Sequence, residues 1–397
     1  MFLDSLLRRN RPLVEQAVAL HQAGAVPANS YVLDLDALSA NAATLKAEAG
    51  RLGLTTYPMT KQIGRNPAAL DALAAAGLRA HVAVDMGCAR PIHERGYHVG
   101  HLGHLVQIPR AEAAEAARMA PAHWTVFSDD KAREAAAASE HQGRQQPLLA
   151  RIHAPGDRFY PGHEGGFAAA EIVSVAERLE ALDGARMAGV TTFPALLFDH
   201  DTGDVAVTPN MNTIARAAEA LRAAGAGDVV VNAPGTTSTL TLETLASRGA
   251  TQVEPGHGLT ATTPLHAVRD CPEQPAVCYV SEISHEHGGR PYCFGGGLYI
   301  DPVFPAYDVR AVVTRDASQD APRYSVDIPP PEAIDYYGII DPADGPPIRT
   351  GDTVVFGFRI QAFVTRALVA PVSGISRGTP QVEGIWTTDG RAFSWPR

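Results

Sequence analysis

YVLDLDALSANAATLKAEAGRLGLTTYPMTK, residues 31–61, is the stretch that decides the fold. It opens with a short strand, YVLDLD (31–36), and continues through an alanine- and leucine-rich helix from Ser39 to about Leu52. A second strand, TTYPMT (55–60), then ends at Lys61. The pattern repeats outward from there. PAALDALAAAGL (67–78) reads as helix; HVAVD (81–85), GHLVQIP (103–109), WTVFSD (124–129), PLLARIHA (147–154), ARMAGVTTFP (185–194), DVVVNAP (228–234) and GATQVEPG (249–256) read as strands. Alanine-rich helical stretches separate most of them. Strands alternating with helices indicate parallel βαβ units, and about eight or nine of them fit a closed (β/α)8 barrel over 31–256. A doubly wound sheet would carry a glycine-rich phosphate loop after its first strand, but ALSAN stands there.

Both flanks differ from this centre. Residues 1–30 read as an N-terminal helix, with Leu3, Leu6, Leu7, Val14, Val18 and Leu20 at helical spacing and Pro27 closing it. Residues 257–397 read as an all-β domain rich in Pro, Gly and β-formers. Within it, 316–350 is proline-rich and reads as a long surface excursion. The fold class expected is therefore α/β, a TIM-type barrel followed by a C-terminal β domain.

The 397 residues exceed what one core usually organises, which agrees with two domains. A net charge of -10 argues against a nucleic-acid partner, whose phosphates need clustered Lys and Arg. MFLDSLLRRN has no apolar core of signal-peptide length, and no window approaches a membrane span, so a cytoplasmic location is expected. Cys88, Cys271, Cys278 and Cys293 lie far apart, and free thiols are the plain reading.

Active sites of (β/α)8 barrels sit at the C-terminal ends of the strands. Lys61 leaves such an end, where a solvated loop lysine is the ordinary alternative. NAPGTTST (232–239) follows a strand with glycine and hydroxyl residues, suiting a backbone-amide nest for phosphate at Gly235, Thr236 and Thr237; an ordinary turn is the alternative. Gly256 and His257 follow the next strand and would add an amide and an imidazole.

The run 31–50, the strand after it and Lys61 together resemble the opening of the alanine racemase N-terminal barrel, the fold type III family that uses pyridoxal 5′-phosphate (PLP). Asn41 matches an Asn in the family's first helix. TKQIGRNP, GTTST, VEPG and YCFGGGLY resemble most the YhfX-like subgroup. The resemblance implies that Lys61 carries PLP as a Schiff base and serves as one base. It places Arg65 where racemases have a phosphate-binding tyrosine. It places Arg158, in APGDRFYPG, where a family arginine binds the substrate carboxylate. The arginine that racemases hold at the pyridine nitrogen is here Glu254, which resembles the E-P-G of ornithine decarboxylases and would favour a protonated ring. Thr192 replaces a cofactor-stacking histidine.

The second base of racemases is a tyrosine from the partner's β domain, which implies a homodimer with shared active sites. The candidates for it are Cys293, by analogy with the decarboxylases, and His285, with His287, Tyr292 and Tyr299 nearby. An amino-acid racemase or epimerase is the reading implied; a decarboxylase, a D-amino-acid lyase and a non-catalytic PLP carrier are the alternatives. No metal is expected. The zinc-dependent relatives use a His and a Cys where this chain has Arg359 and Gln361, and His81, His93, His98, His101 and His104 read as scattered.

Overall fold

The computed structural model describes residues 1–300, 307–316, 321–343 and 345–396, in two compact units. One unit comprises residues 43–60 and 77–258 and holds a parallel barrel. The other comprises 1–42, 61–76 and 259–397 and holds an antiparallel one.

The parallel barrel runs through Thr55–Thr56, Ala80–Ala83, His98–Leu102, His123–Val126, Gln146–His153, Ala185–Thr191, Val230–Asn232 and Gln252–Val253. Neighbours in this series pair in parallel, and Gln252–Val253 returns to pair with Thr55–Thr56. A parallel bridge between Met59 and Val82 closes the ring of eight. The helices between the strands also present small apolar faces to the barrel. Ala132, Ala135 and Ala136 on the Asp129–Glu140 helix are buried, for example. Gly100 on the His98–Leu102 strand is required by the close approach of Tyr57, whose ring atom Cδ1 would lie 2.6 Å from an added Cβ.

Three expectations shift here. The strand opening at residue 31 is Ser30–Asp34, and it does not begin the parallel barrel; it pairs antiparallel with Val277–His287 and parallel with Leu368–Ser373 in the other unit. All five of its residues are buried, which suits the middle of either sheet. The barrel's first strand is instead the 55–59 run. Second, the strand expected at 103–109 lies earlier, at His98–Leu102, and Val106 is exposed. Third, the 1–30 helix is two, Phe2–Arg9 and Arg11–Gln22, broken at Asn10. The Asn10 side chain caps the second helix through Leu13 N and donates to Asp34 Oδ2 and the Pro275 carbonyl, both at 2.8 Å.

In the second unit, Val277–His287, Arg290–Phe294, Tyr337–Ile340, Arg323–Asp327, Arg310–Thr314 and Thr353–Phe356 pair antiparallel in a closed ring. The expected surface excursion at 316–350 thus supplies two of its strands; residues 317–320 and 344 lie outside the described part. Leu3, Leu6, Leu13, Val14, Ala17 and Val18 of the two N-terminal helices pack on Val32, Cys278, Val280, Val355 and Val372 of this sheet. All four cysteines are free and buried. Among the described residues no helix is long and apolar enough to cross a membrane.

Candidate active site

The parallel barrel encloses a polar layer. Successive strands set Arg151 level with Thr191, Thr191 level with Asn232, and Asn232 level with Gln252. Side chains at one level on adjacent strands point the same way. Thr191 Oγ1 donates to Asn232 Oδ1 at 2.7 Å, and Asn232 Nδ2 donates to Glu254 Oε1 at 2.8 Å. His101 bonds Glu254 Oε1 through Nδ1 and Thr125 through Nε2. The result is a continuous chain, Thr125–His101–Glu254–Asn232–Thr191, wholly buried.

Both of these hydrogen bonds to Glu254 fall on Oε1. Oε2 has no hydrogen-bond partner and faces His104 Nδ1 at 3.4 Å. Burial alone would push the Glu254 carboxyl up. The fields of His104 and His101 and the hydrogen bonds from His101 and Asn232 outweigh it and hold the group down at about 2. The carboxylate is therefore ionised at neutral pH, with one oxygen fixed by the protein and the other turned to a cation or N–H donor.

Arg151, near the end of the Gln146–His153 strand, is the opposite case. It is 0% exposed, and its Nε and Nη1 have no hydrogen-bond partner. Nη2 donates to the His163 carbonyl at 2.7 Å and reaches the Phe193 carbonyl at 3.5 Å. The guanidinium lies 5.0 Å from the Phe127 ring centre and 5.8 Å from that of Phe159. Burial pushes its pKa down to about 10, which still leaves it charged. Ring faces return about 0.5–2 kcal/mol to a cation, whereas burying an ion without its counter-charge costs several kcal/mol.

The 232–239 loop and the turn after Glu254 meet. A Cβ on Gly258 would lie 2.5 Å from the Thr237 carbonyl, and one on Gly235 would lie 2.7 Å from both N and O of Leu196, so both positions need glycine. The Thr236 amide is committed to the Leu196 carbonyl at 3.2 Å, which removes it from the expected nest. Ser238 N donates to Thr241 Oγ1 at 2.9 Å at the start of the Thr239–Ala246 helix. Gly256 is half-buried, and His257 is buried at the head of a one-turn helix, His257–Thr260.

Two expected residues are turned elsewhere. Thr192 is buried but accepts from Asn210 of the Pro209–Ala223 helix at 3.3 Å, so Thr191, not Thr192, belongs to the Glu254 layer. Arg158 is exposed; Asn210 holds its backbone at 2.9 and 3.0 Å, while Arg151, seven positions earlier, is the buried arginine. His101 and His104 were read as scattered, yet with Glu254 they form one buried cluster whose ligand atoms lie within 4.8 Å of one another. The GHLGHL repeat (100–105) was the available signal.

In the second unit, Lys61 begins a short turn, Lys61–Ile63, directly after the barrel strand that carries Met59. Its Nζ lies 4.9 Å from the Phe363 ring centre, and the Arg65 guanidinium lies 5.8 Å from the same ring. Arg65 is buried with φ of 52°, and the preceding Gly64 leaves no space for a Cβ, which would fall 2.9 Å from Val369 Cγ2. Asn41 pins the connector to the β strands, donating to the Leu259 and Gln274 carbonyls and accepting from Gln274 N. Cys293 is 0% exposed, and burial pushes its thiol up to about 12, so it sits as a core side chain and not as a ready proton donor. His285 is exposed and stacks on Tyr292, ring centres 4.7 Å apart, with Tyr337 edge-on at 5.0 Å.

Comparison with known proteins agrees with this architecture. The alanine racemase N-terminal domain family matches residues 33–264, and the YhfX-like C-terminal domain family matches residues 278–382. The chain belongs to the alanine racemase N-terminal-domain family, in its YhfX-like form. It is 38% identical to the uncharacterized protein YhfX of Escherichia coli strain K12, over 99% of this chain and 100% of that one. Among solved structures it is similar in fold to a D-threonine aldolase from Filomicrobium marinum (TM-score 0.64, 17% identity, covering 92% of this chain and 96% of that one). It is likewise similar to a D-threo-3-hydroxyaspartate dehydratase from Delftia sp. HT23 (0.62, 18%, 93% and 98%). An alanine racemase of Clostridium difficile 630 in complex with cycloserine gives 0.62 at 12% identity, covering 91% and 99%.

Proposed function

We propose that the chain binds PLP as a Schiff base on Lys61 and acts at the α-carbon of an amino acid, as a racemase or epimerase. The observation that carries this reading is Glu254, an ionised, buried carboxylate with Oε2 turned to an N–H partner, beside a glycine-lined turn. A pyridine nitrogen supplies that partner, and the residues present fit the cofactor. When bound, PLP supplies an electron sink that weakens the bonds to the α-carbon.

The remaining work falls to the protein. Glu254 holds the proton on the ring nitrogen, and His101 and Asn232 fix the carboxylate that does so. Met59, two residues before Lys61, donates its amide to the Pro255 carbonyl, which ties the backbone leading to the lysine to the residue after Glu254. Lys61 serves as the base on one face of the α-carbon. The turn of Gly235, Thr237, Gly256 and His257 receives phosphate. His285, exposed on its aromatic platform where Cys293 is buried, is the candidate we favour for the second base, delivered from a partner chain in a homodimer. Membership of a family whose structural neighbours include an aldolase and a dehydratase keeps lyase chemistry as the second reading, and Glu254 favours a decarboxylase among the alternatives.

The test is a panel of single-enantiomer amino acids incubated with the protein in deuterated water. Deuterium at the α-carbon with loss of optical purity is the expected result. Carbon dioxide release, or elimination without racemisation, would replace the racemase reading, and no reaction with any amino acid would favour a carrier.

A further inference from the structure

We infer that His266, Cys271 and Glu273 form a binding site for one divalent cation of the zinc class. The inference stands apart from the PLP reading and from the Glu254 layer, the other cluster of this kind among the described residues. TPLHAVRDCPE (263–273) sets the three ligand types at H-x4-C-x-E spacing, on the short helix Pro264–Val268 and the turn that follows it. All three residues are buried, at 1%, 3% and 0% exposure. Their ligand atoms lie within 4.8 Å of one another, and His266 Nε2 stands 3.3 Å from Glu273 Oε2. Imidazole, thiolate and carboxylate are the groups zinc takes, at bonds of about 2.0–2.3 Å that set neighbouring ligand atoms about 3.3–3.7 Å apart. The cluster is thus close to the size of such a site. Thiolate and carboxylate together match the two charges of the cation, so no net charge is left buried.

The surroundings hold these groups in place before a cation arrives. Thr263 Oγ1 hydrogen-bonds His266 Nδ1 at 2.7 Å, which leaves Nε2 turned to the cluster. A partner on the second ring nitrogen is what orients a metal-bound histidine. Arg9 of the Phe2–Arg9 helix donates to the Cys271 and Glu273 carbonyls at 2.6 and 2.7 Å. Asn41 and Asn10 hold the next two carbonyls, those of Gln274 and Pro275, at 2.7 and 2.8 Å. The backbone that carries two of the ligands is therefore fixed from outside on the way into the Val277–His287 strand. A buried His–Glu contact accounts for two of the three side chains. The thiol, which reaches the Arg269 carbonyl at 3.8 Å, adds nothing to that pair and is the ligand a soft cation selects. Val268, Arg269, Asp270 and Pro272, which separate the ligands, are exposed, so a cation has a short way in.

The experiment uses the full chain, kept reduced and freed of metal with a chelator, and titrates it with cobalt(II) alone and then with zinc(II). In the wild type one equivalent of cobalt should saturate a thiolate-to-cobalt charge-transfer band in the near ultraviolet, and zinc should displace it. The band reports a thiol ligand, so a cation held by His101, His104 and Glu254 does not produce it. Cys271→Ser should abolish the band, and Cys88→Ser, which keeps all three ligands, should retain it. His266→Gln and Glu273→Gln should each weaken the titration about a hundredfold or more, since loss of an outer partner of a ligand already costs about 10–100-fold. A wild type without the band would overturn the inference and leave a buried His–Glu contact beside a packed thiol. A band that survives in Cys271→Ser would also overturn it. Should Cys271→Ser fail to fold, the other two variants decide: an unchanged titration in both would place the cation elsewhere and end the inference.

Discussion

Glu254 and Arg151 are both buried charges in one barrel, and the protein treats them in opposite ways. Glu254 has His101 and Asn232 on one oxygen and His104 opposite the other. Arg151 has carbonyls on one nitrogen and aromatic rings around the rest. The first charge is built into the fold; the second is stranded by it. Stability should therefore depend on Glu254 and not on Arg151.

The comparison breaks most visibly at Glu254. Glu254→Ala leaves His101 and Asn232 facing a void, and removal of one partner from a buried charged network costs about 3–5 kcal/mol. Urea unfolding of the unliganded protein should show it as a lower midpoint, whereas Arg151→Met in the same assay should show no loss. Equal losses for the two would erase the distinction. Next in size is Asn232→Ala, which removes a 2.8 Å donor to the carboxylate and should cost about 1.5–3 kcal/mol, the worth of a hydrogen bond to a charged group. An unchanged midpoint would mean that His101 alone orients Glu254.

His81 gives the control within the same barrel, a buried titratable ring outside the Glu254 chain. It is 0% exposed, stands edge-on to Tyr97 at 5.8 Å, and burial lowers its pKa from 6.5 to about 4. Between these values the unfolded chain binds a proton that the folded chain does not, so stability falls as pH drops from 6.5 towards 4. His81→Phe should remove up to about 3 kcal/mol of that acid sensitivity, read as a flatter stability profile over this range and little change at pH 8. A profile parallel to wild type would show that His81 binds its proton alike in the folded and the unfolded chain. The smallest effect expected is at Gly100→Ala, where Tyr57 must move, at about 1–3 kcal/mol for overpacking.

The sequence made the architecture legible because helix and strand periods alternate cleanly from residue 55 onward. It misled at residue 31, since five buried residues in a row suit the centre of either sheet, and only pairing with Leu368–Ser373 decides which. The strand at His98–Leu102 is hard to see in the sequence because His101 serves the polar barrel interior, Gly100 makes room for Tyr57 and His98 is exposed, while the more apolar LVQIP beside it is loop. The same cause hid His101 and His104. Glu254 stands out in the sequence through its E-P-G context, and a loop arginine such as Arg158 through its motif, whereas a strand arginine such as Arg151 shows its burial only in three dimensions. The burial of Cys293 and the turn of Thr192 towards Asn210 are likewise visible only in three dimensions. Residue type and spacing say which chemistry is available, not which face of a strand carries it.

The central claim is tested most directly by the absorbance of the protein after incubation with PLP and removal of excess cofactor. The account predicts a visible Schiff-base band in the wild type that disappears in Lys61→Ala and persists in Arg65→Ala. A band retained by Lys61→Ala would contradict it.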